Sequence, residues 1–471
     1  MTQRITVIGG GLGGLAAAAL LARAGHTVTL LEGQEWLGGK SRRIEVAGQR
    51  IDTGPSLVTF PDVWNQVLAT WDAAGGGPTA ASIADVTLER LPEVGRYYFR
   101  GDQANLPVEP GHAWHDAWQR FQKEHGGLGP AITTLLTHDP WDPAILSAGR
   151  ELLSRYGFRL TTQAYLDGLD WMPAELKEII AIHTLNAGVA PNQTLALYAT
   201  MAAVMAQDGV WVPRGGVYEI ARGLENLARH AGVTLRTSEP VVSVKKGSVT
   251  TNQGTYLSDY VVSALDGGIL ERLMGKPAAR PPARLSCSGV AVFGVLDEEL
   301  PEDVVTHSVM MPGRSKELFD ALGKRERPKE TMAFLNYYRA GQIYPNDRPV
   351  AALLLTAPPD GKPCDINDPF VQSEARRFSD VLGLERSITD MMEDHTVLHP
   401  EYFAGFGAVG GALYGEPAPW WRSGPFHSPP YNSPRTPWLW RVGSSVHPGG
   451  GIPAVLGGVL ISMRRMLTTL G

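Results

Sequence analysis

The residues best suited to bind a ligand lie near the start of the chain, in a segment made almost entirely of glycine. Gly9 to Gly14 has the spacing G-x-G-x-x-G and follows a β-branched run, Arg4 to Ile8, typical of a buried parallel strand. An alanine- and leucine-rich segment, Leu15 to Ala24, has the composition of a helix. A second β-branched run, Thr27 to Leu31, ends at Glu32. Strand, glycines, helix, strand and acid, in this order, predict one βαβ unit that binds a dinucleotide.

Each glycine of this segment has a separate physical role. Gly9 permits the tight turn from strand to helix, and Gly11 lets the backbone approach a pyrophosphate. Gly14 lets the helix pack closely on the strand. Leu12 and Gly13 lie where the helix N-terminus presents backbone N–H groups and a positive dipole to phosphates. A glycine-rich turn without a ligand is the alternative interpretation, and the complete order of elements disfavours it.

Glu32 and the residues after it indicate which dinucleotide binds. Glu32 follows Gly14 by eighteen residues, a spacing at which a carboxylate accepts hydrogen bonds from an adenosine ribose. Leu37 to Ser41 then contributes a glycine pair and a cation, Gly39 and Lys40 among them. Ile51 to Ser56 contributes another compact turn, whose last three residues are Gly54, Pro55 and Ser56.

These two segments resemble the FAD-binding superfamily that contains the amine oxidases and the carotenoid desaturases. In that superfamily a GG-Arg segment follows the ribose acid, and a D-x-G-P segment lies under the flavin. The resemblance implies FAD rather than NAD, with Gly39, Lys40, Gly54, Pro55 and Ser56 at the cofactor. Lys40 stands where arginine is more common, so it keeps the charge but lacks the planar guanidinium.

Composition excludes several classes of protein. A chain of 471 residues is long enough for two domains, and its formal net charge of −6 offers no electrostatic basis for nucleic-acid binding. Cys287 and Cys364 match neither a metal nor a redox spacing, so no metal site is predicted. No run reaches the roughly eighteen apolar residues that a membrane span requires. We therefore expect a soluble or peripheral protein made in the cytoplasm.

The middle of the chain again shows a helix followed by strands, as the first βαβ unit does. Val217 to Ala231 reads as a helix, and short strands follow between Thr234 and Ala264. In the superfamily the strand around Val242 presents its backbone to the adenine, and that role is carried over to Val242 by position. The resulting fold class is α/β, with a Rossmann-like FAD-binding domain and an inserted α+β substrate domain whose mixed sheet is covered by helices. The predicted FAD domain comprises 1–75, 209–287 and 425–471, and the substrate domain comprises 76–208 and 288–424.

The C-terminal segment is a second predicted contact with the cofactor. Trp438 to Gly443 reads as a strand, and a glycine-rich loop then leads into an apolar helix from Ala454 to Leu467. Free amides at such a helix N-terminus point at electron-rich atoms, here the pyrimidine carbonyl of the flavin. His447 in the loop is a weak candidate for a base, and a polar group satisfied within the loop is the alternative. The residues predicted to contact FAD here are Gly443, Ser444, Gly451, Ile452 and Pro453.

Together these motifs are similar to those of the bacterial phytoene-desaturase-type carotenoid desaturases. The matching pieces are 7–18, 51–63, 209–224 and 442–458, while 80–205 and 290–420 match only loosely. Gly410 to Gly415 is more similar to the C-3,4 desaturases of hydroxylated or methoxylated acyclic carotenoids (hydroxyneurosporene and methoxyneurosporene desaturases). The resemblance implies hydride transfer from an allylic carbon to FAD, loss of a proton from the neighbouring carbon, and re-oxidation by a quinone or oxygen.

A carotenoid substrate also implies where in the cell the protein acts. Because a C40 hydrocarbon resides in the bilayer, we expect peripheral docking on the inner face of the cell membrane, through an apolar patch near residues 165–206. Four alternatives stay open: a phytoene or lycopene desaturase, a carotenoid ketolase or oxygenase of the same fold, an amine oxidase, and a non-catalytic carrier of prenyl chains or lipids with a FAD-domain fold.

Overall fold

A mostly parallel sheet forms the base of the molecule. The computed structural model describes residues 1–277, 282, 284–417 and 430–471. The parallel sheet has the strand order β19-β20-β13-β1-β2-β9, and its strands run parallel except β19 at one edge. In chain order its strands are β1 (Arg4–Ile8), β2 (Thr27–Leu31), β9 (Thr234–Arg236), β13 (Tyr260–Ser263), β19 (Asn432–Ser433) and β20 (Thr436–Arg441).

Three helices enclose the centre of this sheet. Helix α1 (Leu12–Arg23) is buried along almost its whole length, as expected for an alanine- and leucine-rich helix that is apolar all round. It packs between α10 (Glu219–His230) and α15 (Ile452–Leu470). The N-termini of α1 and α15 lie together at the carboxyl edge of the sheet, because a β-carbon on Gly13 would be only 3.2 Å from Gly443 Cα.

A second, mixed sheet lies over this edge. Its strand order is β18-β14-β17-β16-β15-β6-β7, and all described pairs are antiparallel except β15 with β6. Helix α13 (Pro369–Val381) packs its apolar side against one face. The other face joins the core cluster that contains α1. The strands are β6 (Gly95–Phe99), β7 (Asp102–Leu106), β14 (Ser288–Leu296), β15 (His307–Met310), β16 (Ala333–Tyr338), β17 (Val350–Ala357) and β18 (Met392–Leu398).

Smaller elements connect the two sheets. The remaining described strands form two antiparallel pairs and a three-stranded meander: β3 (Arg43–Val46) with β4 (Gln49–Asp52), β5 (Leu88–Arg90) with β8 (Trp211–Pro213), and β10 (Val241–Lys245), β11 (Ser248–Thr251) and β12 (Thr255–Leu257). The remaining described α-helices are α2 (Pro61–Ala73), α3 (Ala80–Ala84), α4 (His115–His125), α5 (Gly129–Thr137), α6 (Pro143–Tyr156), α7 (Thr162–Asp167), α8 (Ala174–Ile182), α9 (Met201–Asp208), α11 (Gly267–Leu273), α12 (Ser315–Lys324) and α14 (Pro400–Ala404). Short 3-10 helices span Gly126–Leu128, His183–Ala187, Ala196–Thr200 and Val409–Gly411.

The predicted fold class, α/β with a mixed sheet covered by helices, is confirmed. The first βαβ unit lies where the sequence predicted it, although α1 begins at Leu12 rather than Leu15. The division into two domains stays a prediction, and its boundary at 424/425 lies outside the described residues. Within the described ranges, no helix combines the length and apolar character needed to cross a membrane.

Candidate FAD and substrate site

The glycine-rich turn after β1 is packed so closely that side chains are excluded from it. A β-carbon on Gly14 would lie 1.9 Å from the Gly9 carbonyl oxygen. Gly9 has a φ of +96°, which residues with side chains rarely adopt. Leu12 begins α1, and no side chain caps the N-terminus of that helix. The turn therefore presents uncapped backbone N–H groups, as a pyrophosphate requires.

A second glycine segment closes the crevice opposite this turn. The Gly38 N–H donates to the Gly10 carbonyl oxygen at 2.8 Å. A β-carbon on Gly39 would lie 3.1 Å from Gly11 Cα, and Gly39 has a φ of +62°. The two predicted glycine segments thus lie against each other. Backbone without side chains forms both walls of the crevice.

Glu32 lies at the end of β2 and is oriented by backbone donors. Its Oε2 accepts from the Gly10 N–H at 2.6 Å, and its Oε1 accepts from the Gln34 N–H at 2.8 Å. A carboxylate has about four acceptor positions, so each oxygen keeps one for a ribose hydroxyl. The carboxylate geometry fits the predicted role of Glu32.

Val242 belongs to β10, and the loop before this strand is hydrogen-bonded to the backbone of Glu32. The Glu239 N–H donates to the Glu32 carbonyl oxygen at 2.9 Å, which ties this loop to the end of β2. The pairing of β10 with β11 shifts register between Val241 and Ser243, so Val242 stands outside the regular ladder. Its side chain is 54% exposed. The contact of its backbone with adenine stays a prediction.

The loop before α15 completes the crevice from the other side. The Val442 N–H donates to the Ser263 carbonyl oxygen at 2.9 Å, and Gly443 and Gly451 have φ values of +91°. Ile452 begins α15 with Pro453 in its first turn, and no side chain caps this helix either. Ser444, at the start of this loop, is exposed. A second set of free helix amides therefore opens at the crevice, where the sequence predicted a flavin contact.

Lys40 lies beside the segment that contains Leu413. Its Nζ donates to the Leu413 carbonyl oxygen at 2.9 Å. The side chain is accessible, yet desolvation lowers its pKa, while the charge of Asp266 acts in the opposite direction. The phosphate role of Lys40 stays a prediction.

Buried charges hold the D-x-G-P segment in place. Arg43 Nε lies 2.8 Å from Asp52 Oδ1, and Arg43 Nη1 lies 2.7 Å from Glu219 Oε1. The Tyr218 N–H donates to the second Asp52 oxygen at 2.8 Å. This cluster joins β3, β4 and the start of α10, and it fixes the turn at Gly54 that follows β4. We missed it in the sequence because its members are widely separated.

The mixed sheet covers the same segment from above. Asn336 Nδ2 donates to Ser56 Oγ at 2.6 Å, and Pro55 and Ser56 line a small pocket at this junction. His307 is paired with Asn336 across β15 and β16 and is buried. Neither imidazole nitrogen of His307 has a hydrogen-bond partner among the described residues, and burial lowers its pKa to about 4. A neutral imidazole thus lies on the sheet face that joins the α1 core.

His447 is held away from water in the loop before α15. Burial lowers its pKa to about 4, and a hydrogen bond with the Leu135 backbone acts against this shift. The Tyr431 hydroxyl donates to the His447 carbonyl oxygen at 3.0 Å. The predicted alternative to a base, a satisfied polar group, agrees with this environment, although the partner belongs to α5 and not to the loop.

Comparison with known proteins agrees with this geometry. The model of the family described as flavin containing amine oxidoreductase matches residues 12–342. A zeta-carotene-forming phytoene desaturase from Myxococcus xanthus is 26% identical over 99% of this chain and 94% of that protein. A hydroxyneurosporene desaturase from Rubrivivax gelatinosus is 28% identical over 96% of this chain and 91% of that protein. A carotenoid 3,4-desaturase from Haloarcula japonica is 31% identical over 52% of this chain and 51% of that protein.

Solved structures agree at the level of the fold. Cyclohexylamine oxidase from Brevibacterium oxydans has a TM-score of 0.61 and 12% identity, with both chains covered completely. The glycine crevice, the Glu32 carboxylate and two uncapped helix N-termini fit FAD, and the family match confirms the predicted cofactor. The resemblance to carotenoid desaturases is also confirmed. The chain therefore belongs to the flavin-containing amine oxidoreductase family, as an FAD-dependent oxidoreductase similar to carotenoid desaturases.

Proposed function

We propose that the protein is a carotenoid desaturase that introduces the C-3,4 double bond into an acyclic, 1-hydroxylated carotenoid. The observation that carries this proposal is the position of Gly410 to Gly415, the segment most similar to C-3,4 desaturases. Leu413 accepts from Lys40, and a β-carbon on Gly450 would lie 3.1 Å from the Tyr414 ring. This segment thus lies beside Lys40 and the loop that leads into α15. Similarity to the Rubrivivax gelatinosus protein supports the same substrate class.

FAD, when bound, supplies the hydride acceptor for this reaction. The residues supply orientation, electrostatics and a dry site. The first-turn amides of α15 favour negative charge at the pyrimidine carbonyl. Apolar side chains on the inner face of the mixed sheet exclude water from the polyene; they include Phe293, Val309, Tyr338 and Ala352.

Phytoene desaturation is the second candidate. The Myxococcus xanthus relative covers nearly the whole chain and favours this alternative. Both reactions remove two hydrogens across an allylic bond, so the crevice serves either. They differ in the end group that must lie near the flavin.

We also propose that helix α6 docks the enzyme on a membrane. We predicted the apolar patch near residues 165–206, where the structure has no large exposed hydrophobic side chain, although that stretch is fully described. The largest group of exposed apolar side chains among the described residues lies instead on α6 and the segment after it, at Leu146, Leu153, Phe158 and Leu160.

Charge and packing around α6 support this docking mode. Ala148, Leu152 and Tyr156 bury the inner face of the helix, so Leu146 and Leu153 point outward. The exposed arginines Arg150 and Arg155 match the anionic lipids of a cytoplasmic leaflet. We propose a cytoplasmic enzyme on the inner face of the cell membrane, with a quinone or oxygen as the final electron acceptor.

A carotenoid panel in liposomes tests the proposed reaction. FAD-loaded protein would be incubated with phytoene, lycopene and 1-hydroxylated acyclic carotenoids, and products would be read by absorption and mass. The proposal predicts a red shift and the loss of two hydrogens for the hydroxylated carotenoids. Turnover of phytoene alone would assign the second candidate. Gain of oxygen would indicate an oxygenase, and release of ammonia from amines without carotenoid turnover would indicate an amine oxidase.

A further inference from the structure

The Tyr414 ring packs against two glycines, Gly188 and Gly450, whose lack of a side chain makes room for it. A β-carbon on Gly188 would lie 2.8 Å from Tyr414 Cδ2, and one on Gly450 would lie 3.1 Å from Tyr414 Cδ1. The Tyr414 N–H donates to Ser286 Oγ at 3.0 Å. The ring is therefore clamped between the end of one 3-10 helix and the loop that leads into α15. Side chains at either glycine would collide with it.

These contacts cover the ring only in part. Tyr414 is 37% exposed, yet burial strongly raises the pKa of its hydroxyl. Tyr198, on the neighbouring 3-10 helix, is partly accessible, and burial raises its pKa as well. The two phenols also interact electrostatically with each other. The 3-10 helices His183–Ala187 and Ala196–Thr200 pack against each other, and Gly188 at the end of the first adjoins the Tyr414 ring, so Tyr198 lies near Tyr414.

Neither hydroxyl has a hydrogen-bond partner in the described part of the chain. Desolvated polar groups without partners are rare in native structures and require an explanation. A ligand that brings its own hydroxyl would satisfy both phenols. The hydroxyl group of such a ligand would donate to one tyrosine and accept from the other.

The distance from the flavin loop fits the end of an acyclic carotenoid. In a 1-hydroxylated end group the oxygen lies only about 3 to 4 Å from C3 and up to about 5 Å from C4, since single bonds are about 1.5 Å long. An enzyme that desaturates C3–C4 must therefore bind this oxygen close to the flavin. Tyr414 meets this requirement because it contacts Gly450, two residues before α15 begins.

We propose that the hydroxyls of Tyr414 and Tyr198 bind the C1 hydroxyl of the carotenoid and so select hydroxylated end groups. This inference rests on the proposed C-3,4 desaturation. It assigns substrate selection to two residues that are 216 positions apart in the sequence.

The test compares Tyr414→Phe, Tyr198→Phe and the double variant with the wild type. Each would be assayed in liposomes on a 1-hydroxylated carotenoid and on its non-hydroxylated counterpart with the same chromophore. Loss of a hydrogen bond to a buried substrate hydroxyl should lower kcat/KM for the hydroxylated carotenoid about tenfold to hundredfold. The value for the counterpart should stay the same or rise, so the selectivity ratio collapses.

Controls separate selection from structural damage. Tyr337→Phe is matched, because Tyr337 accepts from the Leu300 N–H on the opposite face of the mixed sheet. It should leave the ratio unchanged. The flavin spectrum and melting temperature should also be unchanged in the Tyr414 and Tyr198 variants. A selectivity ratio that survives in the double variant would overturn the inference. A wild type that never acts on hydroxylated carotenoids would instead overturn the proposed function, and with it the inference.

Discussion

At the scale of single residues, the FAD crevice depends on glycines, because their lack of a side chain lets backbone segments pack closely. Gly9, Gly13 and Gly14 let a strand end, a helix start and the Gly443 loop meet at distances that exclude a β-carbon. Gly39 approaches Gly11 in the same way from the opposite wall. The phosphate-binding amides are exposed to the ligand only because these contacts hold the turn in one conformation.

Gly14→Ala should abolish FAD binding. Its β-carbon would lie 1.9 Å from the Gly9 carbonyl oxygen, so the turn would have to move. Flavin absorbance of the purified protein should fall to about a tenth of the wild-type value or less, in line with a displaced phosphate cradle. Gly323→Ala is the matched control, since it also lies in a helix and its β-carbon would meet nothing within 4 Å. A Gly14→Ala protein that kept a full complement of FAD would contradict this account.

Asp52→Ala should destabilise the protein by about 3 kcal/mol, because it leaves Arg43 buried without its main partner. Thermal unfolding with and without added FAD would measure the effect, and FAD retention should fall as the Gly54 turn loosens. Asp259→Ala provides the comparison. Its ion pair with Arg4 is largely exposed, so the melting temperature should barely change. Equal effects of the two substitutions would show that the Arg43 cluster does not hold the segment.

At the scale of elements, helices perform two different tasks. Helices α1 and α15 point their uncapped N-termini at one crevice, where the parallel strands also end. Helix α6 presents leucines to the outside while its inner side is buried. The first arrangement serves FAD, and the second serves the proposed docking to the membrane.

Leu146→Asp combined with Leu153→Asp should weaken binding to anionic liposomes about tenfold or more. The double variant has lost the apolar surface of two leucines that would move from water into the lipid on binding. Liposome flotation would measure the bound fraction. Leu257→Asp is the control, since Leu257 is 66% exposed on β12, within the three-stranded meander. Undiminished flotation of the double variant, or an equal loss in the control, would remove α6 as the docking element.

At the scale of the whole molecule, buried histidines couple stability to pH. Burial lowers the pKa of His125, His183, His307 and His447 from 6.5 to about 4. Between pH 6.5 and 4 the unfolded chain binds protons that the folded chain does not bind. Stability therefore rises with pH through this interval and is lost on acidification.

The melting temperature should fall steadily from pH 6.5 to pH 4. His307→Leu should flatten this dependence, because it removes one titrating group whose nitrogens lack partners among the described residues. Differential scanning calorimetry across this interval would measure both slopes. Identical slopes for the wild type and the variant would show that His307 does not titrate as described.

The sequence predicted the local parts of this molecule and missed those that depend on distant contacts. The βαβ unit from Arg4 to Glu32 was correct because its signals are adjacent along the chain. In the mixed sheet the sequence indicated strands at Val290 to Leu296, Val350 to Thr356 and Arg96 to Arg100, which match β14, β17 and β6. Strand β15 escaped notice because it is short and carries His307.

The candidate site divides in the same way. The spacing of the glycines and the position of Glu32 indicated the FAD crevice, because glycines at this spacing are required where the backbone packs closely. The contacts of Tyr414 with Gly188, and of Arg43 with Glu219, join residues that are far apart in the chain. A local sequence pattern cannot predict such contacts, so these residues could be identified only from the three-dimensional structure.

The most direct test of the central claim is a single turnover without oxygen. FAD-loaded protein would be mixed with a 1-hydroxylated acyclic carotenoid in liposomes, and flavin absorbance and product mass would be followed together. A desaturase that passes hydride to FAD should bleach the flavin and form one product molecule, two hydrogens lighter, per flavin reduced. Bound FAD that stays oxidised while the carotenoid is unchanged, or a product that appears only with oxygen and contains it, would contradict the account.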